Sequence, residues 1–390
     1  MNGVEEFLSL KEEATAWRRY LHQIPELDYR LHETSTFVAE KLASFGITTV
    51  ETGIAETGIV AVVKGEGGEG PTIALRAEMD GSRLTEKSNR PWSSGKPGLM
   101  HASGHDGLTA MLLGAGKVLA ADRSFRGTVV LIFQPGGECG LGGKRLVDEG
   151  VMDRFAISRV FGMENIVGTE IGRFSICDGP IMAALDEFDI IIKGRGGHAA
   201  TPHRNIDPVV IAGQIIVGLQ PLVSRVTNPQ DALVLSITRM EAGETYTIIP
   251  ETAILSGTVR TLNPQVRDQI ERQIPAVARG IANGYGGEIE FRYRRHDPIT
   301  MNSTEETNLA ISAARNLVGS FRVDDNYSPI MESEDFAYML NVRPGAIIFI
   351  GNGTTASLNS PAYDFNDEAL PFGIGYWVNL VRTVLPASPH

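Results

Sequence analysis

Apolar residues at three- and four-residue spacing predict helices at the start of the chain. The first predicted helix covers residues 4–22 and presents one apolar face. A second is predicted from about residue 34 to residue 45, and Gly46 stands where a helix commonly stops. Continuous apolar runs then predict strands at residues 58–64, 72–76 and 128–134. The last run shows no polar alternation, which is typical of an interior strand in an open α/β sheet.

A different pattern begins near Leu185. One strand leads to a long helix, which Asp207 caps and Pro208 opens, and two further strands follow. A second helix is capped by Asn263, and a closing strand runs through residues 289–293. This βαββαβ order is typical of a ferredoxin-like sandwich.

The chain length favours more than one domain. With 390 residues, the chain exceeds what one simple hydrophobic core usually supports. Helix and strand patterns of the first kind resume after about residue 306. We therefore predict a two-domain α/β protein. Residues 1–184 and 296–390 form a discontinuous first domain, and residues 185–295 form an inserted domain.

Composition and charge indicate which kinds of binding partner are to be expected. Hydrophobic residues make up 42% of the chain and charged residues 21%, as in ordinary soluble proteins. The net charge of −12 argues against nucleic acid, because phosphate binding needs a basic surface. No apolar run approaches a membrane-spanning length, and the N-terminus is acidic where a signal peptide would be basic. We expect neither a nucleic-acid nor a membrane partner.

Cysteine usage indicates a compartment. Cys139 and Cys177 are the two cysteines of the chain, and they do not form a CxxC pair. Such usage is typical of proteins in a reducing environment, without a disulfide framework. We expect the protein to be cytoplasmic.

Candidate chemistry concentrates in residues 100–107, Met-His-Ala-Ser-Gly-His-Asp-Gly. A loop enters a helix there, so that ligating side chains and backbone N–H groups can converge. Two carboxylates stand at predicted strand ends, Glu138 after the strand at 128–134 and Glu164 after the apolar run at 157–163. Open α/β sheets bind ligands at the carboxyl ends of their strands. The pattern favours a site there, although solvated loop positions are the alternative for both carboxylates.

Short sequence motifs, which follow one another in a fixed order, cover nearly the whole length of the chain. They are LHQIPELDY (21–29), ALRAEMDG (74–81), MHASGHDG (100–107), LIFQPGGE (131–138), GRGGHAATPH (194–203), IIPETAILSGTVRT (248–261), SEDFAYML (333–340), FIGNG (349–353) and LNSPAYDFNDEALP (358–371). Together they resemble the zinc aminoacylase and carboxypeptidase family, in the branch of the hippurate hydrolases and the auxin-conjugate amidohydrolases. The resemblance implies a catalytic α/β domain with a two-metal site and an inserted lid domain that pairs two subunits.

Several positions depart from the family's metal site. Where the family has a cysteine that bridges two metals, this chain has Ser103, and a neutral hydroxyl is a far poorer ligand than a thiolate. By resemblance, His105 remains a ligand, and Asp80 orients it. The family's Pro-Ala-Glu-Glu supplies a general base and then a ligand. Here it reads Pro-Gly-Gly-Glu, so the ligand Glu138 survives while Gly137 replaces the base.

Two further ligand positions have changed. A family imidazole becomes Glu164, a carboxylate that other branches also use, and the last imidazole becomes Asn359. The remaining good ligands are His105, Glu138 and Glu164, whereas zinc sites normally need three good ligands for each ion. We therefore expect at most one divalent metal ion, such as manganese or zinc, or none.

The substrate side departs less from the family. His198 matches the lid histidine that reaches across the dimer to polarise the scissile carbonyl in the family. Arg260 lies on a predicted strand of the inserted domain and could hold a carboxylate through paired hydrogen bonds. Thr247 replaces a family asparagine, which indicates altered anion recognition, and Asn359 is a further candidate for substrate binding. For His198, Arg260 and Thr247 the alternative is an ordinary surface position.

Three hypotheses for function follow. The first is an amidohydrolase that cleaves an N-acyl amino acid or a related small amide with at most one weakly held metal. The second is a metal-free enzyme that performs transfer, cyclisation, isomerisation or hydrolysis with Ser103, His105, His198 and Cys139. In that case Cys139 would be the nucleophile, with a pKa lowered by a nearby histidine. The third is a non-catalytic protein that binds such a ligand. In each case the expected assembly is a homodimer through the inserted domain.

Overall fold

The computed structural model of the chain describes residues 3–387. It divides into two compact units. The first unit comprises Met1–Gly179, Met301–Ser328 and Asp335–His390. The second unit comprises Pro180–Thr300 and Pro329–Glu334. His390, which the sequence analysis did not assign to any site, lies outside the described residues.

The helices and strands follow one another in mixed order. The α-helices are α1 (Lys11–Gln23), α2 (His32–Ser44), α3 (His105–Ala121), α4 (Gly142–Asp148), α5 (Val151–Arg154), α6 (Pro208–Pro221), α7 (Pro264–Gly284), α8 (Thr304–Val318), α9 (Ala337–Leu340) and α10 (Leu370–Val384). The strands are β1 (Thr49–Ile54), β2 (Gly58–Lys64), β3 (Thr72–Glu78), β4 (Thr128–Gln134), β5 (Arg159–Ile166), β6 (Phe174–Ser175), β7 (Gly179–Met182), β8 (Ala184–Lys193), β9 (Gly197–His198), β10 (Leu233–Ala242), β11 (Ile248–Ile249), β12 (Thr252–Thr261), β13 (Glu288–Arg295), β14 (Thr300–Asn302), β15 (Val323–Asp324) and β16 (Gly345–Gly351).

An eight-stranded mixed sheet forms the centre of the first unit, in the order β1-β2-β4-β3-β5-β16-β6-β15. Strands β4, β3, β5 and β16 run parallel to one another. The predicted interior position of residues 128–134 is confirmed, since β4 lies between β2 and β3 and is almost entirely buried. The parallel strands end at one edge, and the side chains at their carboxyl ends therefore converge.

The N-terminal helix and strand β1 differ from the sequence prediction. The predicted continuous helix over residues 4–22 is a 3₁₀ segment, Gly3–Leu10, followed by α1. Both segments bury apolar side chains, Phe7 in the first and Trp17 in the second. Strand β1 was not predicted, because its residues Thr-Val-Glu-Thr-Gly-Ile are mostly exposed and contain no apolar run. It is held instead by antiparallel pairing with β2.

The second unit has the predicted βαββαβ order. Its four-stranded antiparallel sheet is ordered β10-β12-β8-β13, and helices α6 and α7 follow β8 and β12. The Asp207 carboxylate accepts a hydrogen bond from the backbone N–H of Val209 at 2.9 Å, as expected of a helix cap. Asn263 does the same for Gln265 at 2.9 Å. The predicted α/β class with an inserted ferredoxin-like domain is therefore confirmed.

Helix α6 is more apolar than the sequence analysis allowed. Together with the π-helical turn Leu222–Val226 it forms a helix of 19 residues, long and apolar enough by those criteria alone to cross a membrane. This finding corrects the expectation that no apolar run approaches that length. One face packs in the core of the second unit through side chains such as Ile211 and Ile215. The other face is exposed at Val210 and Val217.

Candidate functional site

Acidic side chains meet an imidazole where the parallel strands of the first unit end. Glu78 is the last residue of β3, Glu164 lies near the end of β5, and Glu138 stands in the elbow after β4. His105 is the first residue of α3 and follows Gly104, whose φ of +86° is the left-handed conformation that glycine adopts readily. The strand-end prediction thus identified residues that share one edge of the sheet.

His105 lies among three carboxylates. Its Nδ1 is 2.8 Å from the backbone oxygen of Asp80 and 3.4 Å from that residue's Oδ1. Its Nε2 is 3.1 Å from Oε2 of Glu78 and 4.0 Å from Oε1 of Glu138. Burial alone would lower the pKa of His105, but the carboxylates of Glu78, Asp80 and Glu138 outweigh it and raise that pKa well above the usual value.

Asp80 fixes the elbow that carries Glu138. Its carboxylate accepts hydrogen bonds from the backbone N–H of Gly137 at 3.1 Å and of Glu138 at 3.0 Å. Asp80 is itself buried, and burial raises the pKa of its carboxyl group. The residue thereby links the elbow to His105 through one side chain.

A buried guanidinium stands behind the cluster. Nη2 of Arg76 is 2.8 Å from Oε1 of Glu78 and 2.6 Å from Oδ1 of Asp335, and Nη1 is 3.7 Å from Oε1 of Glu164. Burial alone would raise the pKa of Glu78, but Arg76 and His105 lower it to about 2. Burial first, and then the neighbouring Glu78 carboxylate, raise the pKa of Glu164 to about 8. Glu78 and Glu164 therefore titrate as a pair, in which Arg76 and His105 favour the negative charge on Glu78.

Ser103 contacts both Glu138 and Asn359. The Ser103 hydroxyl donates a hydrogen bond to Oε1 of Glu138 and lies 3.2 Å from the amide oxygen of Asn359. Asn359 has a φ of +59°, and its backbone N–H donates to the carbonyl of Ala102 at 3.0 Å. Asn165, whose amide donates to the carbonyl of Ser103, supports this loop from β5. Ser103, Glu138 and Asn359 therefore form a hydrogen-bonded group of neutral and acidic side chains.

Cys139 lies in a setting unlike that of an activated thiol. Its thiol donates to the carbonyl of Gly136 at 3.1 Å, in the same elbow. Burial raises the pKa of Cys139, although a hydrogen bond with Tyr29 acts in the opposite direction. The sequence hypothesis requires a histidine to lower this pKa, and no histidine is among the causes of the shift, so the nucleophile role stays a prediction.

Three predicted substrate residues belong to the second unit. His198 is exposed on β9, opposite Ile248 in register, and its Nδ1 accepts a hydrogen bond from the backbone N–H of Ala200 at 3.0 Å. The backbone oxygen of Thr247 accepts from Ala199 at 2.9 Å, and the Thr247 residue is exposed. Arg260 lies on β12, where its Nη1 donates to the carbonyl of Met331 at 2.9 Å. The substrate roles of these three residues stay predictions.

The side chains of Glu78, His105 and Glu164 form a group that could hold a metal ion. Ligand atoms of Glu78, His105 and Glu164 lie within 4.8 Å of one another. Sequence reasoning included His105 and Glu164 but missed Glu78. The signal was present, because Glu78 is a carboxylate at a strand end, as Glu138 and Glu164 are. The predicted ligand Glu138 is nearby but is hydrogen-bonded to Ser103.

A second buried ionic cluster lies against the next residue of α3, Asp106. Nε of Arg18 and Nδ1 of His22 each lie 2.8 Å from Oδ2 of Asp106. Nε2 of His22 is 3.3 Å from Oε1 of Glu86, which belongs to the loop before the histidine motif. Burial alone would lower the pKa of His22, but Asp106 and Glu86 raise it to about 9. The cluster therefore ties α1, α3 and that loop together through His22, a residue that the sequence did not single out.

Known proteins share this fold along almost the whole chain. The N-acetylcysteine deacetylase of Bacillus subtilis is 38% identical over 369 residues, which cover 94% of this chain and 96% of that protein. The hippurate hydrolase of Campylobacter jejuni is 37% identical and covers 99% of this chain and 100% of its own. A crystal structure of the Bacillus subtilis YXEP protein, described as a dinuclear metal binding peptidase, superposes with a TM-score of 0.86 at 34% identity, covering 97% of this chain and 99% of that one.

The family assignment rests on these matches and on a family model. The model of peptidase family M20/M25/M40 matches residues 74–383, which include the whole candidate site from Glu78 to Asn359. The resemblance identified from sequence blocks, to the aminoacylase branch with the hippurate hydrolases, is confirmed. This chain belongs to peptidase family M20/M25/M40.

Proposed function

We propose that the protein is an amidohydrolase that cleaves the amide bond of an N-acyl amino acid or a related small amide, using at most one weakly held divalent metal ion. The enzyme class, a hydrolase of carbon–nitrogen bonds, follows from membership of the family and from the relatives that deacetylate or hydrolyse such amides. The observation that carries the proposal is the cluster of Glu78, His105 and Glu164 at the ends of parallel strands.

The donor set supports one ion rather than two. The buried carboxyl groups of Glu78 and Glu164 lie close enough to His105 for the three side chains to bind one divalent ion. Around Ser103 the other side chains are the amide of Asn359 and the single carboxylate of Glu138. A hydroxyl and an amide are weak ligands, so a second ion beside Ser103 would have one good ligand. A bound ion would supply Lewis acidity toward a carbonyl oxygen.

The other residues of the site hold its geometry. Asp80 fixes both the imidazole of His105 and the backbone of the elbow, so the two parts cannot move independently. Arg76 neutralises the buried carboxylates of Glu78 and Asp335, which lowers the cost of collecting acidic groups away from water. These residues therefore preorganise the site for a cation and an amide.

For the substrate, we propose that Arg260 holds the carboxylate of the amino-acid part and that His198 polarises the scissile carbonyl. Arg260 has a planar guanidinium on a regular strand, and such a group suits paired hydrogen bonds to a carboxylate. His198 is exposed and its ring is oriented by the backbone of Ala200. We also propose that the protein is cytoplasmic, from its cysteine usage.

We further propose a homodimer through the second unit. The exposed face of α6 carries apolar side chains, among them Val210, which is 49% exposed, and Val217, which is 68% exposed. A contiguous apolar face of this kind favours association with a second apolar surface. A second copy of the chain would cover it, as the family resemblance implies.

A hydrolysis assay tests the function. The purified protein is incubated with N-acetyl amino acids and with N-benzoylglycine, and release of the free amino acid is measured. The proposal expects turnover that His105→Ala and Glu164→Gln reduce by about 10²-fold or more. Wild-type protein that releases no amino acid from any such amide would contradict it.

One observation favours a metal-free variant of the same chemistry. The Ser103 hydroxyl donates to the carboxylate of Glu138, an arrangement in which a carboxylate could accept a proton from a nucleophile. This alternative predicts that chelators leave turnover unchanged and that Ser103→Ala abolishes it. The main proposal predicts that removal of metal lowers turnover.

A further inference from the structure

Gly137 lacks a side chain at a position where a Cβ atom would overlap the carboxylate of Glu78. A Cβ atom built on this residue would lie 1.6 Å from Oε1 and 2.4 Å from Cδ of Glu78. Contacts this short do not occur between non-bonded atoms, so any side chain here would displace the Glu78 carboxylate. The carboxylate of β3 therefore occupies the space that a side chain on the elbow would need.

The two oxygens of Glu78 have different neighbours. Oε1 lies 2.8 Å from Nη2 of Arg76, which fixes the carboxylate from behind. Oε2 faces Nε2 of His105 at 3.1 Å. Two ligand atoms on one divalent ion, with bonds of about 2.0–2.2 Å, stand about 2.8–3.6 Å apart, from octahedral to tetrahedral angles. The separation between Glu78 and His105 falls within this range.

Glu164 offers a third ligand atom on the same side. Its ligating oxygen lies within 4.8 Å of those of Glu78 and His105. Oε1 of Glu164 is buried and accepts no hydrogen bond from residues 3–387. Nη1 of Arg76 lies 3.7 Å from this oxygen, beyond hydrogen-bonding distance, so the oxygen remains available as a ligand atom for a bound cation. Glu138 is less well placed, since its Oε1 is 4.0 Å from His105 Nε2 and accepts from Ser103.

We propose that Glu78 is the third protein ligand of a single divalent ion, together with His105 and Glu164, and that Gly137 is required to leave room for it. This assignment rests on the proposed function in one respect, which is that the protein keeps one metal site. It differs from the ligand set expected from the sequence, in which Glu138 holds this place. The side chain that completes the site comes from β3 instead of from the elbow.

Manganese binding tests this assignment without any substrate. The full-length protein is stripped with chelator, dialysed and titrated with Mn²⁺, and free Mn²⁺ is followed by electron paramagnetic resonance. The wild type is expected to bind one ion per chain. Glu78→Gln is expected to weaken binding by at least about 10–100-fold, the range found even when an outer partner of a metal ligand is lost.

Gly137→Ala is the second test, because it keeps Glu78 in the sequence while its Cβ would displace the carboxylate. It is expected to weaken binding as much as Glu78→Gln does. Gly213→Ala is the matched control, since a Cβ at Gly213 meets nothing within 4 Å and should leave binding unchanged. Circular dichroism verifies the fold of each variant.

Three results would overturn the assignment. They are wild-type protein that binds no ion or two ions, a folded Glu78→Gln protein with wild-type affinity, or a folded Gly137→Ala protein with wild-type affinity. Loss of binding in Glu138→Gln with retention in Glu78→Gln would restore the set expected from the sequence. Failure of the proposed function has a separate signature, because Mn²⁺ binding could follow the expected pattern while no amide is cleaved.

Discussion

Replacing His22 by glutamine tests the buried cluster beside the histidine motif. His22 is fully buried, and its two ring nitrogens face Asp106 and Glu86. Arg18 and His101 are the other titratable groups around it, the first in contact and the second with its ring centroid 6.2 Å away. The His22→Gln variant loses the positive charge of the imidazole but keeps a polar side chain of moderate length.

The magnitude follows from the raised pKa. Burial opposes the charged form, but Asp106 and Glu86 raise the pKa of His22 from 6.5 to about 9. Each pKa unit corresponds to about 1.4 kcal/mol, so the charged imidazole contributes about 3 kcal/mol to the free energy of unfolding. Because the folded pKa lies above the unfolded one, this contribution is complete below about pH 6.5 and is lost as pH rises through about 9.

Urea unfolding followed by tryptophan fluorescence measures the effect. Trp17, Trp92 and Trp377 all belong to the first unit, so the signal reports the unit that contains His22. His22→Gln should be less stable than wild type at pH 6, and about 3 kcal/mol of that deficit should disappear by pH 10. His32→Gln, at an exposed histidine that begins α2, is the control. A His22→Gln deficit that is the same at both pH values would refute the reasoning.

Three further predictions address other parts of the protein. Cys139→Ala should retain turnover, because burial raises the pKa of the thiol; abolished turnover together with chelator resistance would instead identify a thiol nucleophile. Val217→Glu should convert the dimer to a monomer in light scattering, since a charge on the exposed face of α6 would have to be buried in the interface; a monomeric wild type would contradict the dimer itself. Arg267→Met should destabilise the second unit by about 3–5 kcal/mol, because it leaves the buried Asp186 carboxylate without its cationic partner, with the hydrogen bond from Tyr293 remaining; the double variant with Asp186→Leu should recover much of that loss in thermal unfolding.

The extent to which the fold was predictable depended on how each element is stabilised. Residues 128–134 form a fully buried strand, and their continuous apolar sequence reports that burial directly. The helices that open at Pro208 and Pro264 carry their own capping residues, so their starts were visible. Strand β1 was missed because pairing with β2, and not an apolar face, holds it in place.

The site was only partly predictable for a similar reason. Glu138 and Glu164 were found because strand ends in an open α/β sheet are favoured ligand positions. Glu78 fulfilled the same rule but was not singled out. Its proximity to Glu138 and Glu164 depends on the parallel pairing of β3 with β4 and β5, which brings distant segments to one edge. The space it occupies beside Gly137 is a three-dimensional property that no spacing of residues along the chain encodes.

The metal content of the protein tests the central claim most directly. The full chain is purified without chelator, dialysed against metal-free buffer, and analysed for all divalent metals by elemental mass spectrometry. Because Glu78, His105 and Glu164 provide ligands for one ion while Ser103 and Asn359 offer only neutral groups, we predict no more than about one ion per chain. Two tightly held zinc ions per chain would contradict the account.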